Sequence, residues 1–178
     1  MHASPLSQPR PRARRKAVRS QHDWNAATRR ALASGALAAV ATALYVSRAG
    51  ARDSGSAVAP LNATSHIAWG DRSHAGSVEH VDARHTVPGL LLHAGACVMW
   101  AAIYERYFGA TAERGRVAGA LAGSGAIAAA AYVTDYHVVP KRFTPGWETR
   151  LSSRSLARVY AVLALALPLR GLLRHWRR

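Results

Sequence analysis

Gly115–Glu148, GRVAGALAGSGAIAAAAYVTDYHVVPKRFTPGWE, decides the fold. It opens as an apolar run of very small residues, long enough for a helix that crosses a bilayer, which takes about 20 residues. It closes as a polar, aromatic stretch punctuated by Pro140 and Pro145-Gly146, so the helix ends near Val139 and a turn follows. Gly115, Gly119 and Gly123 recur every four residues, the spacing with which an apolar helix packs closely on another. So low a profile on several faces predicts a central helix with the others packed on it.

Three further apolar blocks surround this one, and the expected helices run over about 26–48, 86–108, 115–139 and 155–174. Hydrophobic residues make up 49% of the 178, an ordinary share, but they are concentrated in these blocks. The mean hydropathy of -0.06 averages the blocks with Arg-rich segments between them. The fold class that follows is all-α: one domain over 26–178, a membrane bundle of four transmembrane helices. In the first block Ala31, Ser34, Gly35, Ala38 and Thr42 form a stripe of small residues suited to close helix contact. Pro168 is placed to kink the last block.

The formal charge is +15, from 24 Lys and Arg against 9 Asp and Glu. The basic residues sit at the ends of the apolar blocks, where they fix membrane orientation. That placement, with no aromatic interleaving, argues against nucleic acid as partner. Residues 1–25 are polar, with PRPRARRKAVR at Pro9–Arg19, and read as a disordered cytoplasmic tail drawn to anionic lipid. An Arg-rich, acid-poor start is also what a mitochondrial transit peptide has. With both termini on one side, that side carries 15 Lys and Arg and the other 8, so N-in and C-in is preferred. The single cysteine, Cys97, excludes an intramolecular disulfide and a CxxC metal site.

Residues 49–85 are long for a loop. Within them Asn62 or Thr64 is placed to cap a short interfacial helix carrying Ile67 and Trp69, with Trp69 at headgroup level. Asn62-Ala63-Thr64 also fits a glycosylation pattern, though three residues are weak evidence. Lys141, Arg142 and Trp147 form a second aromatic-basic belt suited to lipid headgroups.

The antiparallel order of the blocks brings His93, Asp135, Tyr136 and His137 to the same outer third of the bundle, His93 roughly 10 Å deep by helical rise. His66, Asp71, His80 and His85 lie in the loop above. Ionisable groups at such depth are expensive. Most often they tie helices together by hydrogen bonds. The sharper alternatives are a divalent metal, a proton relay, or haem held by two histidines. No HxxxH or HExxH occurs on a block, so ligands would converge from separate segments, and no cofactor is expected from spacing alone.

Two segments carry a resemblance. Asp135–Glu148 resembles a DY-x-x-x-P-K/R-R-x-T-P-G-F/W-E signature, and Asn62–Gly70 an N-A-x-S-H-x-x-W-G segment, of small bacterial inner-membrane proteins with no assigned activity. The resemblance covers the four blocks but not the tail. It implies a four-helix architecture in a bacterial inner membrane, and it weakens the mitochondrial reading. The function expected is a non-enzymatic accessory or scaffold unit, self-associating through small-residue faces or joined to a membrane partner. The rival is a small transport or ion-binding protein using the His/Asp cluster. No nucleophile–base pair, phosphate-cradling loop or enzymatic carboxylate pair is legible.

Overall fold

Every third or fourth residue of the first apolar block is small or short, and the fold uses that stripe. A computed structural model describes residues 11–70 and 72–178, with side chains from Trp24 onward except those of residues 71–73. Residues 1–10, with the start of the basic tail, and Asp71 lie outside it. From Pro11 the chain is helical and continuous with the first block, as α1 (Pro11–Asp53), so the segment expected to be disordered is helix over its described part. Ser34, Gly35, Ala38, Thr42 and Val46 of α1 are buried, while Leu32, Val40 and Leu44 face outward.

Nine α-helices are present among the described residues, and no strand. The connection after α1 holds α2 (Ala59–Ala63), α3 (His66–Trp69) and α4 (Arg72–Ser77). The second long helix is α5 (Thr86–Tyr107), followed by the short α6 (Gly109–Glu113). The third, α7 (Val117–Val133), widens into a π turn over Thr134–Val138, closed by Val139 N–H donating to Thr134 O at 3.0 Å. The last block is two helices, α8 (Ser153–Ala166) and α9 (Leu169–Trp176), broken at Pro168, which lacks an N–H. Trp24–Asp53, Thr86–Tyr107, Val117–Val138 and Ser153–Trp176 are each long and apolar enough to cross a membrane.

The central helix is α1, not α7. Helix α1 packs along α5 and α8, and α7 rests chiefly on α8. The reason is how the small residues are sorted. Those of α1 lie on one stripe, matched on α5 by the buried His93, Cys97, Ala101 and Tyr104. A Cβ at Gly35 would stand 2.6 Å from Val98 Cα, so the two backbones nearly touch. Those of α7 run around the helix and select no side. The three glycines make no single seam: Gly115 precedes α7 in a left-handed turn (φ 70°) against the His175 ring, Gly119 faces Thr111, and Gly123 faces the Phe108 ring.

At one end of the bundle, α2–α4 and the segment after the π turn fold together as a cap. Asp53, at the end of α1, accepts from the N–H and hydroxyl of Ser152, both at 2.9 Å, and Ser152 in turn caps α8. The opposite, basal end holds α6, α9 and the start of α1.

Candidate functional site

Asn62–His66 was expected at an interface, yet it is buried, with Asn62 at 0% exposure. Its side chains do not cap a helix, because they are spent on the cap. Asn62 donates to Val78 O (2.8 Å) and His80 O (3.0 Å) and accepts from the Thr86 hydroxyl (2.6 Å). Thr64 donates to Pro145 O at 3.0 Å. An amide so engaged is no glycosylation acceptor. The Thr64–Pro145 bond joins the two segments that carried the resemblance. Gly146, at φ 81°, turns the chain back so closely that a Cβ there would be 3.1 Å from Ala63 O and from His66 Nδ1. That turn drives Trp147 inward: it is 6% exposed, not in an interfacial belt. Trp69 is exposed and donates to Arg84 O at 2.8 Å, and Arg142 lies over Gly70 with Lys141 exposed beside it.

Beneath the cap is a cavity of about 90 Å³. Its floor is Thr42, His93 and Cys97, its walls include Asp135 and Tyr160, and Trp147 closes it with other cap residues. The size is far below the several hundred Å³ of a drug-sized pocket. It holds a few waters or a guest of a few heavy atoms.

The hydrogen bonds fix the state of His93. The Thr42 hydroxyl donates to Ala38 O at 2.7 Å, so its oxygen accepts from His93 Nε2, 2.9 Å away. Nε2 also lies 3.3 Å from Ala39 O, another acceptor. The proton is therefore on Nε2, and Nδ1 is the acceptor nitrogen. Cys97 Sγ is 3.7 Å from the same Nε2, which on this tautomer has no lone pair to take the thiol proton. The pair is not arranged as nucleophile and base. Asp135, on the π turn, accepts from the Tyr160 hydroxyl at 2.7 Å. The His93 ring meets Trp147 edge-on at 5.4 Å, and the Trp147 indole N–H is buried without a partner.

Of the five residues singled out from sequence, the structure brings His93 and Asp135 to one cavity. His66 lies in the cap with Nδ1 donating to Ala63 O at 2.7 Å. Tyr136 joins Tyr132 and Tyr160 in an aromatic cluster, and exposed His137 packs edge-on to Tyr132 at 5.6 Å. Among the described residues no three His, Cys, Asp or Glu side chains gather into a set that could hold a metal ion.

A second polar cluster sits at the basal end. Arg170 grips Glu105 with two bonds, Nε to Oε1 at 2.9 Å and Nη2 to Oε2 at 2.7 Å, and reaches Glu113 at 2.9 Å. Ser34, wholly buried on α1, donates to Glu105 at 2.5 Å. The cluster ties α1, α5, α6 and α9. Glu105, near the charged end of the second block, was not singled out from the sequence. Its register was the missed signal, for it continues the His93, Cys97, Ala101 face one more turn. Comparisons with protein families, with curated proteins and with solved structures found no match.

Proposed function

We propose that this chain is a multi-pass membrane protein, N-in and C-in in a bacterial inner membrane, and a non-enzymatic binding unit. On this reading the capped cavity holds a small neutral guest with an apolar body and one hydroxyl-like group. The observation that carries the reading is the inverted sorting of side chains. Large apolar residues such as Leu32, Val40, Leu91, Met99 and Leu165 face outward, while Ser34, Thr42, His93 and Ser124 are buried. In water that arrangement exposes the wrong groups, and in lipid it removes polar groups from hydrocarbon. The guest follows from what lines the cavity. Trp147, whose indole N–H has no protein partner, and His93 line the cavity together, and an indole donor beside an imidazole suits a hydroxyl.

The test is an NMR titration of detergent-purified protein with 1-propanol, reading the five tryptophan indole N–H signals. The Trp147 signal, assigned by Trp147→Phe, shifts saturably in the wild type and not in Ala96→Phe, which plugs the wall from an exposed position. Equal, non-saturating shifts in both proteins count against a binding cavity. A second reading, a proton or ion site, is favoured because His93 and Asp135 line one cavity. It requires Asp135→Asn to abolish a pH- or metal-dependent property in a protein that stays folded.

A further inference from the structure

We infer that the groove between α1 and α9 at the basal end is a binding site for the headgroup of an anionic phospholipid, a phosphate diester with no compensating amine. This rests on the membrane reading. The groove has a volume of about 440 Å³ and is lined by Leu37, Leu173 and four arginines: Arg170, Arg174, Arg177 and Arg178.

The four arginines do not play the same part. Arg170 is spent on Glu105 and Glu113. Arg174 reaches Glu113 only at 3.8 Å, with 55% of its side chain exposed. Arg177 and Arg178 are exposed and have no acidic partner among the described residues. Among the described residues the acids seen at this end are Glu105 and Glu113, and both are already held. Arg170 and Arg174 stand one turn apart on α9, and Arg177 and Arg178 follow at its C-terminal end, so all four line the one groove. The positive charge of Arg177 and Arg178 is not met by an acid among the described residues, and guanidinium forks suit the oxygens of a phosphate.

Apolar surface says what is attached to that phosphate. Leu37 and Leu173 are exposed in the same groove, 41% and 40% respectively. Leu37 lies one turn along α1 from Ser34, which accepts from Arg170 Nε at 3.2 Å. The groove thus passes from guanidinium groups to apolar wall within a single turn, as a lipid passes from phosphate to acyl chain.

The experiment uses the full chain in nanodiscs of phosphatidylcholine with added phosphatidylglycerol. Native mass spectrometry then reads the lipid retained per chain. Wild type retains phosphatidylglycerol over phosphatidylcholine. Arg177→Gln with Arg178→Gln weakens that retention about twenty-fivefold, at about fivefold per arginine. Arg14→Gln with Arg15→Gln, which removes the same charge from the N-terminal stretch, leaves the retained lipid in place. Equal loss in both double variants means diffuse attraction and overturns the site, as does unchanged retention in the first. Displacement by glycerol phosphate as effective as by the lipid overturns the assignment to a membrane lipid. A chain that stays soluble without detergent defeats the membrane reading itself. One that embeds in pure phosphatidylcholine but shows no headgroup preference defeats only this inference.

Discussion

Thr42 illustrates how much one hydroxyl decides. By giving its proton to Ala38 O it sets the tautomer of His93, and by accepting from Nε2 it holds α5 to α1. Thr42→Val keeps the shape and leaves that N–H only its longer bond to Ala39 O, at a cost of about 1 kcal/mol. Tyr160→Phe strands the Asp135 carboxyl instead and costs about 2 kcal/mol. Thermal or denaturant unfolding in detergent reads both. Asp82 supplies a pH dependence outside the four long apolar helices. The His85 ring bonds its carboxyl, the Arg84 N–H adds to this, and together they lower its pKa below the usual carboxylate value. A carboxyl depressed on folding stabilises above its unfolded pKa, and that contribution is lost as pH falls through the folded one. Acidification below the ordinary carboxylate range therefore loosens the cap first, seen as a change in Trp69 emission, and Asp82→Asn removes the dependence. His85 and Asp82 are three residues apart, so their proximity was legible. The Thr42–His93 bond was not, because pairing residues 51 apart requires the register of two helices.

Glycines separate the helices by what surrounds them. Gly35→Ala drives a Cβ into the Val98 backbone, and the α1–α5 seam must open at a cost of about 1–3 kcal/mol. Gly95 on α5 and Gly125 on α7 have nothing within 4 Å of a new Cβ, so Gly95→Ala and Gly125→Ala stabilise by up to about 1 kcal/mol. Three melting curves decide the matter, and a Gly35→Ala protein as stable as wild type would contradict so close a seam. The stripe of α1 was readable because its small residues keep one helical period. The more conspicuous glycine series of α7 misled for the opposite reason: small residues on every side leave the packing direction to be decided by Phe108, Thr111 and α8. The four helices themselves were legible from length and apolar content, and Pro168 marked the break in the last.

Across the whole molecule, the two ends are built on different principles. The cap is mostly hydrogen bonding between two loops that touch through Thr64 and Pro145, with one ion pair, Arg150 to Glu79 at 3.1 Å, near its surface. The basal end is charge: Glu105 is buried with Arg170 on one side and Ser34 on the other. Glu105→Gln leaves Arg170 without its fork and costs about 3 kcal/mol, whereas Glu105→Leu with Arg170→Met costs less, a comparison that unfolding curves make directly. Composition revealed the excess of positive charge but not this internal pairing, since 65 residues separate the partners. The cavity was half legible. His93 and Asp135 stood out as ionisable groups in apolar blocks, while Tyr160 and Trp147 reach it only through the fold of the last helix and the turn at Gly146.

The Glu105–Arg170 fork has a meaning for how the protein is made. A ribosome adding roughly 5–20 residues per second takes several seconds to travel from one partner to the other. During that interval the hairpin of α1 and α5 has its carboxyl at the basal end and only Ser34 and Arg30, 4.0 Å away, to attend it. The Glu105 carboxyl therefore lacks its fork until the last helix has been made, and the basal contact of four helices is complete only with it.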